Sequence, residues 1–171
     1  MDLIFEIVKG HHSNWNAVHN GVRYIFNGAI EFENGEKFVG CEGIPEGSST
    51  DQVIQWMVKT KQVFGHEGGI QCKHLLVSFG EKPEIKKKKL RKTIKRIVGF
   101  WKSRYQLYWG VHFNLKETGP NFHLHILLNT VDLKTGNRLN LNKKLWRRFK
   151  EETTRTWEKA MQSEKGSVDR R

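Results

Sequence analysis

Apolar positions recur along the chain with two alternating periods, and each change of period marks an element. Residues 3–8 form a short apolar run ended by Gly10, which predicts a strand. Ser13 or Asn14 then caps a predicted helix through Ile25, with Trp15, Val18, Val22 and Ile25 at helical spacing and Tyr24 beside the stripe. Residues 27–49 are rich in Gly, Asn and Glu and predict a hairpin turning at Asn34-Gly35, followed by a helix capped by Ser49, Thr50 or Asp51 that runs to about Phe64. Past a turn at 65–69, residues 72–79 alternate as a strand, with Leu75 and Val77 on one face and His74, Leu76 and Ser78 on the other.

Pro83 opens the next predicted helix, whose Leu90, Ile94, Ile97, Val98 and Trp101 share one face. Residues 107–114 and 122–129 read as the strands of a hairpin joined by a turn at 117–121. A last helix runs from about Asn142 to Met161, with Leu145, Phe149, Thr153, Thr156, Trp157 and Ala160 inward. Residues 163–171 are small, polar and charged and predict a flexible tail. Interleaved strands and helices with an antiparallel hairpin define an α+β sandwich, and 171 residues suffice for one domain, at 1–162, with one proper core.

Charge adds a partner. The chain carries 30 Lys and Arg against 18 Asp and Glu, a formal net charge of +12, and the excess is local. Residues 82–104 hold 11 basic residues against the lone Glu84, and residues 134–150 hold 7 against none. Such blocks repel themselves and are relieved by a polyanion, so nucleic acid is the expected partner, with Trp101, Tyr105, Tyr108, Trp109 and Phe113 placed to stack on unpaired bases. The two cysteines, Cys41 and Cys72, form no metal or disulfide pattern and fit a reducing compartment. No apolar stretch reaches the length of a membrane span, so a cytoplasmic location and no membrane partner are expected.

The sharpest chemical feature is His123-Leu124-His125. On a strand, residues i and i+2 share a face, so both imidazoles point together and can hold one metal ion. His112, on the preceding strand, completes a three-histidine set if the hairpin pairs. A polar sheet face lined by histidines explains the same spacing without a metal. Tyr24 becomes a nucleophile only when a base or a metal-bound phosphate assists it, and on an amphipathic helix it is otherwise a half-buried tyrosine.

Three segments together resemble the relaxases, the mobilisation nucleases of the histidine-hydrophobe-histidine (HUH) endonuclease superfamily. They are Val22-Arg23-Tyr24-Ile25; Lys73-His74-Leu75-Leu76-Val77-Ser78-Phe79; and Gly119-Pro120-Asn121-Phe122-His123-Leu124-His125-Ile126-Leu127-Leu128-Asn129, followed by Thr135-Gly136-Asn137-Arg138-Leu139. The resemblance implies a five-stranded, largely antiparallel sheet flanked by helices. It implies that His112, His123 and His125 hold a divalent ion, magnesium or manganese, whereas imidazole ligands by chemistry alone favour zinc, nickel or cobalt. It further implies that Tyr24 cuts one DNA strand at an origin of transfer of a mobile element, staying joined to the new 5′ end.

In the same likeness Ser78 contacts DNA near the cut, as Arg23 and the cations Lys86, Lys87, Lys88, Lys89, Arg91, Lys92, Lys95 and Arg96 are expected to do along single-stranded or locally melted DNA. Accessory mobilisation proteins and a secretion coupling protein are the further partners it suggests. The chain departs from the pattern after His112, where Phe113-Asn114 replaces the usual acidic residue, so Glu117, Asn114 or Asn129 is expected to orient the ligating histidines. Replication initiators and transposases of the superfamily are the nearest alternative, but they place the tyrosine after the histidine pair, and no tyrosine here follows Tyr108. A non-catalytic nucleic-acid-binding module is the alternative outside catalysis.

Overall fold

The strand periods close into one sheet in the computed structural model, which describes residues 3–10, 12–116 and 119–168, with the backbone alone at 115, 116, 119, 120 and 163–168. The strands are β1 (Ile4–Ile7), β2 (Val39–Glu42), β3 (Cys72–Gly80), β4 (Leu107–Lys116) and β5 (Gly119–Asn129); the helices are α1 (Ala17–Gly28), α2 (Thr50–Val63), α3 (Lys87–Val98) and α4 (Lys143–Val168). The sheet order is β1-β3-β5-β4-β2 and every neighbouring pair is antiparallel, so the chain is an α+β fold with the expected five strands. Among the described residues no helix is long and apolar enough to cross a membrane.

The chain divides into two compact units, residues 1–82 with 101–139, and residues 83–100 with 140–171. In the first, α1 buries Ala17, Val18, Val22 and Ile25 against Val53 and Met57 of α2 and against Tyr108 and Leu127 of the sheet. Val18, Val22 and Ile25 each contribute about 2 kcal/mol by leaving water. α2 begins with a reciprocal cap, in which Ser49 Oγ accepts from the Gln52 amide and Gln52 Oε1 accepts from the Ser49 amide. On the opposite sheet face Trp109, Val111, Leu124 and Ile126 are buried. In the second unit, α3 buries Leu90, Ile94, Ile97 and Val98, while Phe100 and Phe149 pair with ring centroids 5.5 Å apart.

Several boundaries differ from the sequence pattern for local reasons. α1 starts at Ala17 because residues 13–16 form turns, the Ala17 amide donating to the Asn14 carbonyl, so neither Ser13 nor Asn14 is the cap. Trp15 therefore leaves the apolar stripe and stands 82% exposed. α3 starts at Lys87 rather than near Pro83; its first turn has no acidic residue and no side-chain cap, and four successive lysines oppose the positive end of the helix. α3 also ends at Val98, leaving Trp101 in the following turn, where it is buried. The hairpin at Asn34-Gly35 is reduced to a bridge between Glu31 and Lys37, with Gly35 at positive φ. β5 begins at Gly119 rather than Phe122, residues 117 and 118 of the expected turn lie outside the described residues, and α4 continues to Val168, past Met161.

Candidate metal and nucleophile site

Antiparallel pairing brings the histidines together. His112 of β4 lies directly opposite His123 of β5, and Gly110 lies opposite His125. On the other side of β5, Ser78 faces His123 and Leu76 faces His125. Directly opposed residues project to one face, so His74, Ser78, His112, His123 and His125 share the face on which α1 lies. The ring centroids of His112 and His125 are 4.2 Å apart, those of His123 and His125 are 4.8 Å apart, and each of the three rings offers a nitrogen within 4.8 Å of the others.

Two glycines permit this crowding. A Cβ on Gly28, the last residue of α1, would lie 2.4 Å from Cε1 of His112. A Cβ on Gly110 would lie 2.6 Å from Cγ2 of Ile25. Without these side chains α1 closes onto the sheet, and His112 Nε2 donates to the Ile25 carbonyl at 2.9 Å. The helix thereby fixes the ring it covers.

The other two rings are also tied through one nitrogen each. His123 Nδ1 donates to the Asn121 carbonyl at 2.9 Å, and His125 Nδ1 bonds His74 Nε2 at 2.8 Å. All four imidazoles are buried, and burial is the largest cause pushing the pKa of His125 down to about 2, that of His74 to about 4, and that of His112 below its ordinary value, against the bond to Ile25. At neutral pH His74, His112 and His125 are uncharged, the form that donates a lone pair to a metal. His125 Nε2 is buried without a hydrogen-bond partner, a cost that coordination would remove. The donor set therefore fits a divalent cation.

Tyr24 stands over this set. Its ring centroid lies 5.4 Å from that of His125, 5.7 Å from that of His112 and 5.9 Å from that of His74, yet the residue is 55% exposed. One side of the ring reads the histidines while the rest remains open to a ligand.

The remaining sequence-derived candidates fall into separate places. Ser78 Oγ donates to Asn121 Oδ1 at 2.8 Å, on the residue whose carbonyl holds His123, so Ser78 borders the cluster. Asn114 is exposed and lies opposite Asn121. Asn129 is fully buried farther along β5, where its amide bonds Lys61, Met57 and Gln106 rather than a histidine. Glu117 lies outside the described residues. Arg23 is ion-paired with Asp51, joining α1 to α2. Of the α3 cations, Lys86, Lys87, Lys88, Lys92, Lys95 and Arg96 are exposed, Lys89 and Arg91 partly so, and all belong to the second unit. There α4 adds Lys159, which lines one pocket with Lys92 and Arg96, and Arg155, which lines another with Arg96 and Glu152.

Sequence reasoning passed over His74 and His12 as site residues. The alternation of β3 does put His74 on the shared face, but no spacing motif marked its bond to His125. His12 lies before α1, with its ring centroid 6.3 Å from that of His74, and nothing in its local pattern announces this.

The chain matches the family described as "Relaxase: MobA/VirD2-like, nuclease domain" over residues 24–162, a span that starts at Tyr24 and takes in all three clustered histidines. No curated protein matches it. The chain belongs to the relaxase family as a nuclease domain of the MobA/VirD2-like kind, and its general activity is that of a DNA-nicking enzyme.

Proposed function

We propose that the protein nicks and rejoins one DNA strand at an origin of transfer of a mobile element through a covalent tyrosine-5′-phosphate intermediate. The observation that carries this reading is the half-exposed Tyr24 seated over a buried three-histidine cluster. His112, His123 and His125 would hold the divalent ion. Bound there, such an ion supplies positive charge to the nonbridging oxygens of a phosphate. Family resemblance favours magnesium or manganese, and the all-nitrogen donor set favours zinc, nickel or cobalt.

The chain's own residues do the rest. The Tyr24 hydroxyl oxygen forms a bond to phosphorus as the bond from phosphorus to the 3′ oxygen breaks; the phenol gives up its proton and the departing 3′ oxygen gains one. A phosphodiester is exchanged for a phosphotyrosyl ester, so an incoming 3′ hydroxyl can reverse the step and rejoin the strand. Ser78 and Asn121 border the cluster where the strand would pass, and the exposed cations of α3 supply electrostatic affinity for single-stranded or locally melted DNA. Accessory mobilisation proteins and a secretion coupling protein belong to the same reading, as does work in the cytoplasm.

The test is a search for a protein-DNA adduct that survives boiling in detergent, with single-stranded oligonucleotides spanning a candidate transfer origin and manganese, magnesium or a chelator. A metal-dependent adduct on one of these supports the reading. Cleavage that leaves no protein attached to the 5′ end would overturn the covalent step.

A further inference from the structure

Each ring of the triad is oriented by a bond through one nitrogen, but the partners differ in kind. His112 donates to the Ile25 carbonyl and His123 to the Asn121 carbonyl, both main-chain atoms. His125 is held by a side chain, that of His74 on β3, at 2.8 Å. The register places Leu76 opposite His125, so His74 is the diagonal neighbour on the same face.

The bond has two possible directions, and burial distinguishes them. If His74 donated, His125 would carry its proton on Nε2, and that nitrogen is buried with no hydrogen-bond partner. A donor would then be stranded. If His125 donates through Nδ1, its buried Nε2 bears the lone pair instead, the form a metal ligand requires.

We propose that His74 is a positioning residue that fixes His125 in its Nδ1-protonated tautomer and turns the Nε2 lone pair toward the metal-holding space. The proposal rests on the reading of His112, His123 and His125 as the metal ligands. An imidazole accepts only through the nitrogen without a proton, so His74 in turn carries its own proton on Nδ1. An uncharged acceptor takes the place that a carboxylate or carbonyl fills beside most ligating histidines. The orientation of His125 thus depends on a side chain that substitution can reach directly.

The experiment has two arms. In the metal-free parent, the ring ¹⁵N shifts of His125 should report a protonated Nδ1 and a bare Nε2; a protonated Nε2 would overturn the proposal. In the second arm, Mn²⁺ binding is followed by loss of the free-ion electron paramagnetic resonance signal. His74→Phe, which keeps the volume and removes the acceptor, should weaken binding about 10- to 100-fold. His74→Gln, whose amide oxygen reaches where Nε2 was, should restore most of it, a rescue that a purely space-filling role does not predict. Parent-like Mn²⁺ affinity in His74→Phe would overturn the inference. His125→Ala separates the two levels, because binding indifferent to it would remove the metal-site reading itself and this inference with it, whereas binding lost in His125→Ala and kept in His74→Phe removes His74 alone. Should His74→Phe not fold by circular dichroism, the tautomer of the parent still decides.

Discussion

The ring of Tyr24 stands edge-on to the imidazole of His125, with centroids 5.4 Å apart and planes at 87°. One residue comes from α1 and the other from the middle of β5, 101 positions later, and the sheet register brings them together. If the hydroxyl is the nucleophile, Tyr24→Phe removes the reacting oxygen and little else, because the ring stays over the histidines. Adduct should fall below detection while DNA affinity stays within about twofold of the parent and the melting temperature is unchanged, an exposed-edge change costing about 0.5 kcal/mol or less. Anisotropy binding beside the adduct gel checks both, and adduct at the parent level would show that another group attacks.

Gly28 offers a probe of the cluster from outside it. A Cβ there would lie 2.4 Å from Cε1 and 2.7 Å from Nδ1 of His112, whose ring is already tied to Ile25. Gly28→Ala must therefore push the ring or lift the end of α1, a strain costing about 1–3 kcal/mol. The expected outcome is a lower melting temperature together with Mn²⁺ affinity reduced by about tenfold or more, as for loss of an orienting contact. Unchanged metal affinity in the folded variant would show that the close approach of α1 does not set how His112 serves the site.

Much of this arrangement was legible in the sequence, and what was not has identifiable causes. Strict alternation along β3 and β5 assigned His74, Ser78, His123 and His125 to their faces before any coordinates, since a period of two leaves no freedom within a strand. The hairpin register that sets His112 opposite His123 needed only its two strands to pair in register. Interactions between distant segments had no such signal. Lys61 reads as a polar residue on α2, yet it is buried against Asn129, with burial pushing its pKa down to about 8. Trp15 fitted the helical stripe of α1 numerically and misled, because a turn before Ala17 outcompeted the helix. The contact of Gly28 with His112 depends on how closely a helix approaches a sheet, which periodicity does not encode.

The α3 cations make a separable prediction. Lys88, Lys92 and Arg96 are exposed and spaced four residues apart, so they form one stripe along the helix. Replacing all three with Gln removes three positive charges without touching the histidine cluster. For single-stranded DNA the slope of log affinity against log salt should become shallower by about 2 if each cation meets a phosphate. Adduct formation at saturating DNA should persist. Anisotropy titrations across a salt series measure the slope, and an unaltered slope would mean that the strand does not follow this helix.

Acid should unfold the protein through its histidines. His125 and His74 have folded-state pKa values pushed by burial to about 2 and about 4, and that of His112 is also lowered, whereas in the unfolded chain each titrates near its ordinary 6.5. Between these limits the unfolded state binds protons that the folded state refuses, so stability is fully present above about pH 6.5 and is lost as pH falls toward the folded values. Each of the three adds at most about 1.4 kcal/mol per pH unit to the slope. The melting temperature should therefore drop between pH 7 and pH 5, less steeply in His74→Gln, which removes one titrating ring. A saturating divalent cation should raise it at pH 7 and progressively less as acid competes for the same nitrogens. Scanning calorimetry at half-unit steps with and without Mn²⁺ measures both trends, and a melting temperature flat from pH 7 to pH 5 would mean that these rings are not the buried neutral imidazoles on which the site depends.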